Sequence, residues 1–64
     1  MVIINGNAVD AAGKTVSQYI LQTDYNISRV AIELNGDILP KSQYDSTILN
    51  DNDVVEIVGF VGGG

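Results

Sequence analysis

Two Asn-Gly pairs, each placed directly after a short apolar run, most constrain what this chain can fold into. The first pair, Asn5-Gly6, follows Val2-Ile3-Ile4 and precedes Asn7-Ala8-Val9. Asn-Gly favours a type I′ turn, because that turn needs positive φ at both central residues and these residue types tolerate it. The N-terminal segment therefore predicts a β-hairpin. The second pair, Asn35-Gly36, predicts another turn.

Between the two pairs lies a segment with helical periodicity. Thr15 can cap a helix, and Gln18, three residues later, completes a capping box. The residues at i, i+3, i+4 and i+7 on one face of that helix are Val16, Tyr19, Ile20 and Thr23. Leu21 widens the apolar stripe, which indicates a helix pressed into a concave sheet. We expect Asp24-Tyr25-Asn26 to end it.

The remaining segments predict further strands. Residues 29–34 alternate in polarity and form a strand that Asn35-Gly36 closes. Ile38-Leu39 is a short apolar piece ended by Pro40, which has no N–H to donate and so suits a sheet edge. The rest is assigned in chain order: 41–46 irregular with Tyr44 as anchor, Ile48-Leu49 in the core, 51–53 a turn, and 54–61 the final strand.

The final strand carries apolar residues on both of its sides. Val55 and Ile57 share one parity, and the other parity holds Val54, Glu56, Val58 and Phe60. An unpaired buried carboxylate is costly, so Glu56 predicts that its own side of the strand faces water. Val58 and Phe60 would then form an exposed apolar patch for a protein partner. The alternative is that Phe60 folds back on its neighbours.

The order of elements predicts an α+β fold. A helix and a sheet that each have one apolar face pack on each other. The order hairpin, helix, strand, short strand, last strand is that of the β-grasp fold, with a mixed four- to five-stranded sheet packed on one main helix. In that fold the first and last strands lie side by side and parallel at the centre. We assign residues 1–61 to this domain and 62–64 to a flexible C-terminal glycine tail.

The composition argues against several function classes. The chain has 64 residues, no cysteine, no histidine and a net charge of −5, since eight acids outnumber Lys14, Arg29 and Lys41. This charge disfavours nucleic acid, whose phosphates need clustered basic residues, and suits a positively charged protein partner, although it also serves solubility. We expect no bound metal or cofactor and no enzyme activity of its own, because the carboxylates form no catalytic constellation. Asp51 and Asp53 indicate a solvated turn rather than a cation site.

The location is predicted from two absences. No apolar run approaches the roughly 18 residues that span a bilayer. The N-terminal segment lacks the basic region and long apolar stretch of a signal peptide. We therefore expect a cytoplasmic protein that does not engage a membrane.

Residues 54–64 and residues 30–41 resemble the C-terminus and the middle of the ThiS family, the sulfur carriers of bacterial thiamine biosynthesis. Thr15-Val16 at the helix start also fits. The run from Glu56 to Val61 is more specific than the diglycine ending, which other ubiquitin-like proteins share. The chain departs from the family pattern where Lys41, Tyr44 and Asn52 stand in place of the frequent Arg, Trp and Gly. Lysine cannot make the bidentate contacts of arginine.

The resemblance implies a defined chemistry at Gly64. A ThiF-like adenylating enzyme would use MgATP to convert the terminal carboxylate into an acyl-adenylate. Sulfur from a donor protein would displace AMP and leave a thiocarboxylate, which a ThiG-like thiazole synthase would use to build the thiazole of thiamine. Gly62 and Gly63 would keep the tail slender enough to enter those active sites.

Three alternatives stay open at this point. The first is a MoaD-like sulfur carrier for molybdopterin synthesis. The second is a ubiquitin-like protein modifier, joined through Gly64 to a lysine. The third is a β-grasp interaction domain with an inert tail.

Overall fold

The computed structural model describes residues 1–59, and residues 60–64 lie outside this range. The described elements in chain order are β1 (Val2–Ile4), β2 (Asn7–Val9), α1 (Val16–Leu21), a 3-10 helix (Ile27–Arg29), β3 (Val30–Leu34), β4 (Asp37–Leu39), a second 3-10 helix (Lys41–Gln43) and β5 (Val54–Gly59). Arg29, which we predicted as the start of a strand, ends the first 3-10 helix instead.

Within residues 1–59, five strands form one mixed sheet in the order β2-β1-β5-β3-β4. β1 and β5 run parallel, with Ile3 opposite Val54 and Ile4 opposite Val55. β5 runs antiparallel to β3 on its other side. The first and last described strands, β1 and β5, therefore lie side by side and parallel in the sheet, as the β-grasp order predicts. β4 is an edge strand, and Pro40 follows it directly, which confirms the prediction of an edge.

The Asn-Gly pairs make both predicted turns. Asn5 and Gly6 have φ values of 49° and 83° between β1 and β2. Asn35 and Gly36 have φ values of 52° and 89° between β3 and β4. Asn52 holds a φ of 72° in the turn before β5. Asparagine tolerates this left-handed region better than most residues, so the turn forms without glycine there.

The helix α1 covers one side of the sheet. Its capping box is formed: Gln18 N donates to Thr15 Oγ1, and Thr15 N donates to Gln18 Oε1. Val16 and Ile20 are buried, as predicted. The helix ends at Leu21, earlier than the predicted stop at Asp24, and Thr23 lies beyond it.

Leu21 does not widen the apolar stripe, because 71% of it is exposed. One turn earlier on the same side of the helix, Ser17 is buried by the segment at Tyr44 and Asp45. Ser17 N donates to Tyr44 O at 3.0 Å, and its hydroxyl donates to the Asp45 carboxylate. The stripe prediction was therefore wrong at this position.

The core lies between α1 and the inner side of the sheet. Its buried apolar residues are Val2, Ile4, Ala11, Val16, Ile20, Val30, Ile32, Leu39, Tyr44, Leu49, Val55 and Ile57. Tyr44 is the predicted anchor and is only 3% exposed. Burial raises the pKa of its hydroxyl above the ordinary 10.0. The anchor is therefore neutral in the core at physiological pH.

Only one member of the pair Ile48-Leu49 joins the core. Leu49 is buried, whereas 54% of Ile48 is exposed. Ile48 forms an isolated antiparallel bridge with Thr15. Successive side chains of extended backbone point to opposite sides, so burying Leu49 turns Ile48 outward.

Candidate functional site

The side of the sheet that faces away from α1 contains the exposed apolar residues of β5. Val55 and Ile57 point into the core, with 2% and 6% exposed. Val54 and Val58 point outward, with 45% and 57% exposed. The predicted parity of the final strand is therefore confirmed, and Val58 lies on an open surface. Phe60, the other residue predicted for this patch, lies outside the described residues.

The register brings residues of three other strands beside this patch. Ala31 of β3 pairs with Val58, Ile3 of β1 pairs with Val54, and Ile38 of β4 follows next to β3. Ile38 is 79% exposed. We call the set Ile3, Ala31, Glu33, Ile38, Val54, Glu56 and Val58 the outward face. Exposed apolar side chains gathered on one surface are typical of a protein-binding site.

Two carboxylates stand in the middle of the outward face. Glu33 and Glu56 are directly opposite each other across β3 and β5, and both are exposed. Like charges in directly opposite positions destabilise a pair of strands. Their combined negative potential would attract a basic group of a partner. The face thus combines an apolar rim with an acidic centre.

The end of β5 is held by two residues that sequence reasoning did not assign to a site. Asn5 binds the backbone of Ile57 through its side-chain amide, and Tyr25 lies against Gly59. The sequence predicts only a turn position for Asn5 and only a helix end for Tyr25. The contacts join residues 52 and 34 positions apart along the chain, so no local sequence pattern predicts them.

Lys41, the residue that departs from the family's frequent arginine, is engaged within the chain. Its Nζ donates a hydrogen bond of 2.6 Å to the carbonyl oxygen of Ser28. This bond ties the second 3-10 helix to the first one, which directly precedes β3. An ammonium group suits such a single contact, for which the fork of an arginine is not needed.

The acids of the turn before β5 organise that turn. Asp53 accepts hydrogen bonds from Asn35 Nδ2 at 3.0 Å and from Asn50 N at 2.8 Å. Asp51 pairs with the N-terminal ammonium of Met1. Among residues 1–59, no cluster of three or more potential ligand side chains is placed to hold a metal ion. In the same range, no helix is long and apolar enough to cross a membrane.

The predicted tail residues Gly62, Gly63 and Gly64 lie outside the described residues. Their roles in activation and in reaching a partner's active site stay predictions. What the structure does describe is the strand from which they follow, since β5 is described up to Gly59.

Comparisons with known proteins agree on one family. The sequence model of the ThiS family matches residues 2–64. The sulfur carrier protein ThiS of Bacillus subtilis is 38% identical over 66 aligned residues, which cover 100% of both chains. A thiazole synthase of Paramagnetospirillum magneticum is 40% identical over 63 residues, which cover 97% of this chain but only 19% of the synthase. The crystal structure of the thiamine biosynthesis protein ThiS from Geobacter metallireducens matches with a TM-score of 0.74 at 34% identity, covering 98% of this chain and 97% of that one.

Proposed function

Since this chain belongs to the ThiS family and is a sulfur carrier protein of thiamine biosynthesis, we propose that it carries the sulfur as a thiocarboxylate on Gly64. The match to the family carries the proposal, because it extends to residue 64 and so includes the three glycines at the end. The ubiquitin-like β-grasp fold of this chain agrees with that of the Geobacter ThiS structure.

The proposed reaction has two steps on the same carboxylate. A carboxylate is a poor acylating group, so a ThiF-like enzyme first transfers AMP from MgATP to it and releases pyrophosphate. A sulfur nucleophile from a donor protein then attacks the acyl carbon, and AMP leaves with the electron pair of the broken C–O bond. With a donor persulfide as the nucleophile, the product is an acyl disulfide; a second thiol on a partner protein then attacks the donor's sulfur, forms a disulfide with it and releases the thiocarboxylate. The partners supply the catalysis, and this chain supplies the acyl group and the surface that presents it.

The outward face is the surface proposed to bind those partners. It includes Val58 and lies on the strand that leads into residues 60–64. The apolar residues would be covered by the partner, and Glu33 and Glu56 would meet a basic group at its centre. Phe60 belongs to the same proposed patch by its parity with Val58.

A thiazole synthase is the proposed acceptor of the sulfur. The Paramagnetospirillum protein of that name contains a segment similar to almost the whole of this chain within a much longer polypeptide. Fusing a carrier to the enzyme it serves raises their effective concentration. This similarity supports a ThiG-like partner for the separate carrier.

The test is the conversion of the purified chain by a ThiF-type enzyme, MgATP and a sulfur donor, followed by intact mass measurement. We expect the mass gain of one oxygen replaced by sulfur. Because the chain has no cysteine, a persulfide on the chain itself cannot produce a gain of sulfur. Its single methionine, Met1, would gain nearly the same nominal mass on oxidation, so fragment ions must place the change at the C-terminus.

The matched control is the same chain without Gly63 and Gly64, which we expect to gain no sulfur. Supplying the converted protein to a thiazole synthase should then yield the thiazole product. Absence of any conversion with activating enzymes of this class would sink the proposal. Equal growth of a thiamine-requiring strain without thiamine, whether it expresses the full chain or the truncated chain, would also overturn the proposal.

A further inference from the structure

We propose that Tyr25, held in place by Asn5, is a positioning residue for sulfur transfer because it fixes the end of β5, from which residues 60–64 follow. This inference rests on the proposed function, since it concerns how Gly64 would reach a partner. It is based on the contacts that Asn5 makes with Ile57 and that Tyr25 makes with Gly59. We call Asn5, Tyr25 and Gly59 the clamp.

The first part of the clamp is the Asn5 side chain, which acts as an extra piece of β1. The backbone of Asn5 donates from N to Val55 O at 2.9 Å and then turns away with φ of 49°. The main chain of β1 therefore cannot continue beside β5. The Asn5 amide takes its place: Oδ1 accepts from Ile57 N at 2.7 Å, and Nδ2 donates to Ile57 O at 3.1 Å. A side-chain amide has the donor and the acceptor that a strand residue would offer.

The second part is the ring of Tyr25. Asn5 Nδ2 also donates to the Tyr25 hydroxyl at 3.3 Å, which orients the ring. A methyl group at Gly59 would lie 3.0 Å from Cδ1 and 3.1 Å from Cε1 of that ring. Ordinary carbon contacts are about 3.5–4.0 Å, so only glycine lets the ring come this close. Glycine at this position is thus explained by the ring, not by its φ.

β3 completes the grip from the other edge. Val30 pairs with Gly59 at the last position of the β3–β5 ladder. Gly59 is therefore flanked by a strand on one edge and by an aromatic ring on its inner surface. Ile57, two residues earlier, is bound on the opposite edge by Asn5. The last described residues of β5 are constrained from three directions although β1 has already ended.

The clamp matters for the proposed chemistry because it fixes the position from which the chain continues to Gly64. Five residues follow Gly59 in the sequence, and a fully extended chain of that length spans at most about 18 Å. Because this span is short, the position of Gly59 decides whether Gly64 can reach a partner's reacting centre while the outward face is bound to that partner. A strand end that frays must be ordered again on binding, which lowers affinity about tenfold for each released residue.

The test compares four variants in the activation assay with a ThiF-type enzyme and MgATP, reading KM and kcat for the carrier separately. Tyr25→Ala should raise KM about tenfold and leave kcat within about twofold, because the chemistry is unchanged once the segment is bound. Tyr25→Phe keeps the ring on Gly59 and should retain most of the affinity. Gly59→Ala should raise KM by displacing the ring. Combined with Tyr25→Ala, it should add little, since the ring it displaces is already gone.

Tyr19→Ala is the matched control for stability. Tyr19 is a half-buried aromatic residue that packs against the core from α1. Its loss should lower the melting temperature while KM stays at the wild-type value. A KM that rises equally in Tyr19→Ala and Tyr25→Ala would reduce the role of Tyr25 to general stability and overturn the proposal.

Hydrogen exchange tests the clamp without any partner. In Tyr25→Ala, the amide of Ile57 should exchange faster than in the wild type, while the amide of Val55, deeper in the sheet, should not. Unchanged exchange at Ile57, or an unchanged KM in Tyr25→Ala, would each overturn the inference. If the wild-type chain itself gains no sulfur, the proposed function fails, and the exchange data still decide whether the clamp holds β5.

Discussion

The asparagines of the two Asn-Gly turns do more than tolerate positive φ, because each also binds β5 through its side chain. Asn5 binds the backbone of Ile57, as described above. Asn35 donates from its backbone N to Val54 O at 2.7 Å and accepts from Val54 N through Oδ1 at 2.8 Å. The two residues therefore brace the central strand from opposite edges, one at each end. Glycine would satisfy the turns but not the braces.

We predict that Asn35→Gly lowers the free energy of unfolding by about 1–2 kcal/mol, because it removes the side-chain hydrogen bonds to Val54 N and to the Asp53 carboxylate, each with a usual net value of about 1 kcal/mol. Asn52→Gly is the matched control, because Asn52 also has positive φ, at 72°, and the same entropy cost of glycine applies. We expect it to be nearly neutral. Urea unfolding of both variants measures the difference. Equal losses would show that the Asn35 amide contributes nothing beyond the turn.

The capping box of α1 and the two Asn-Gly turns depend on residues a few positions apart, and they were predicted correctly. The capping box joins Thr15 and Gln18, and each Asn-Gly turn is formed by adjacent residues. The clamp was missed, because Asn5 meets Ile57 only after the sheet has assembled. An asparagine in a turn satisfies its local role completely, so nothing in the sequence signals a second one.

At the scale of elements, the sequence predicts a longer α1 than the structure has, since α1 ends at Leu21 and not at Asp24. The helix has six residues, too few to be stable alone, and depends on its cap and on the burial of Val16 and Ile20. The periodicity continues to Thr23, but the Thr23 hydroxyl donates to Ile20 O at 2.6 Å. Hydroxyl side chains that bind nearby backbone groups compete with helix hydrogen bonds. The helix therefore stops where this local bond replaces its next turn.

Because β3 pairs with β5, Glu33 and Glu56 lie opposite each other, which we expect to lower the stability of the chain and to strengthen its binding to a basic partner. We predict that Glu56→Gln stabilises the isolated chain by about 0.2–1 kcal/mol, because it removes a like-charge pair in directly opposite positions. The same change should weaken binding to the activating enzyme up to about fivefold at low salt, and less at high salt. Urea unfolding and titration at two salt concentrations measure the two effects.

Asp10→Asn is the control for Glu56→Gln, because it removes the same charge from an exposed loop outside the outward face. Asp10→Asn should change the free energy of unfolding and the affinity for the activating enzyme less than Glu56→Gln does. If both variants weaken binding equally, only the net charge matters, and the proposed role of the acidic centre is wrong.

At the scale of the whole molecule, the topology makes one strand serve both the core and the proposed partner. β5 is the central strand, so its inner residues are buried by α1 and its outer residues lie in the middle of the outward face. The parallel pairing of β1 with β5 could not be derived from hydrophobic periodicity, which gives each strand a face but no neighbour. It followed from recognising the order of elements. The parity of β5 needed no such recognition, because one carboxylate, Glu56, decides which side meets water.

The opposite surfaces of the domain allow a direct test of which one binds the partner. Val58 is 57% exposed on the outward face, and Leu21 is 71% exposed on α1, on the other side of the sheet. We predict that Val58→Asp weakens binding to the ThiF-type enzyme at least about tenfold, since it places a charge in a surface that must be desolvated. Leu21→Asp makes the same kind of change and should leave binding intact. Both variants should lose no more than about 1 kcal/mol of stability, because neither side chain belongs to the core. Titration calorimetry and urea unfolding measure these quantities, and a larger loss of affinity in Leu21→Asp would move the binding surface to the helix.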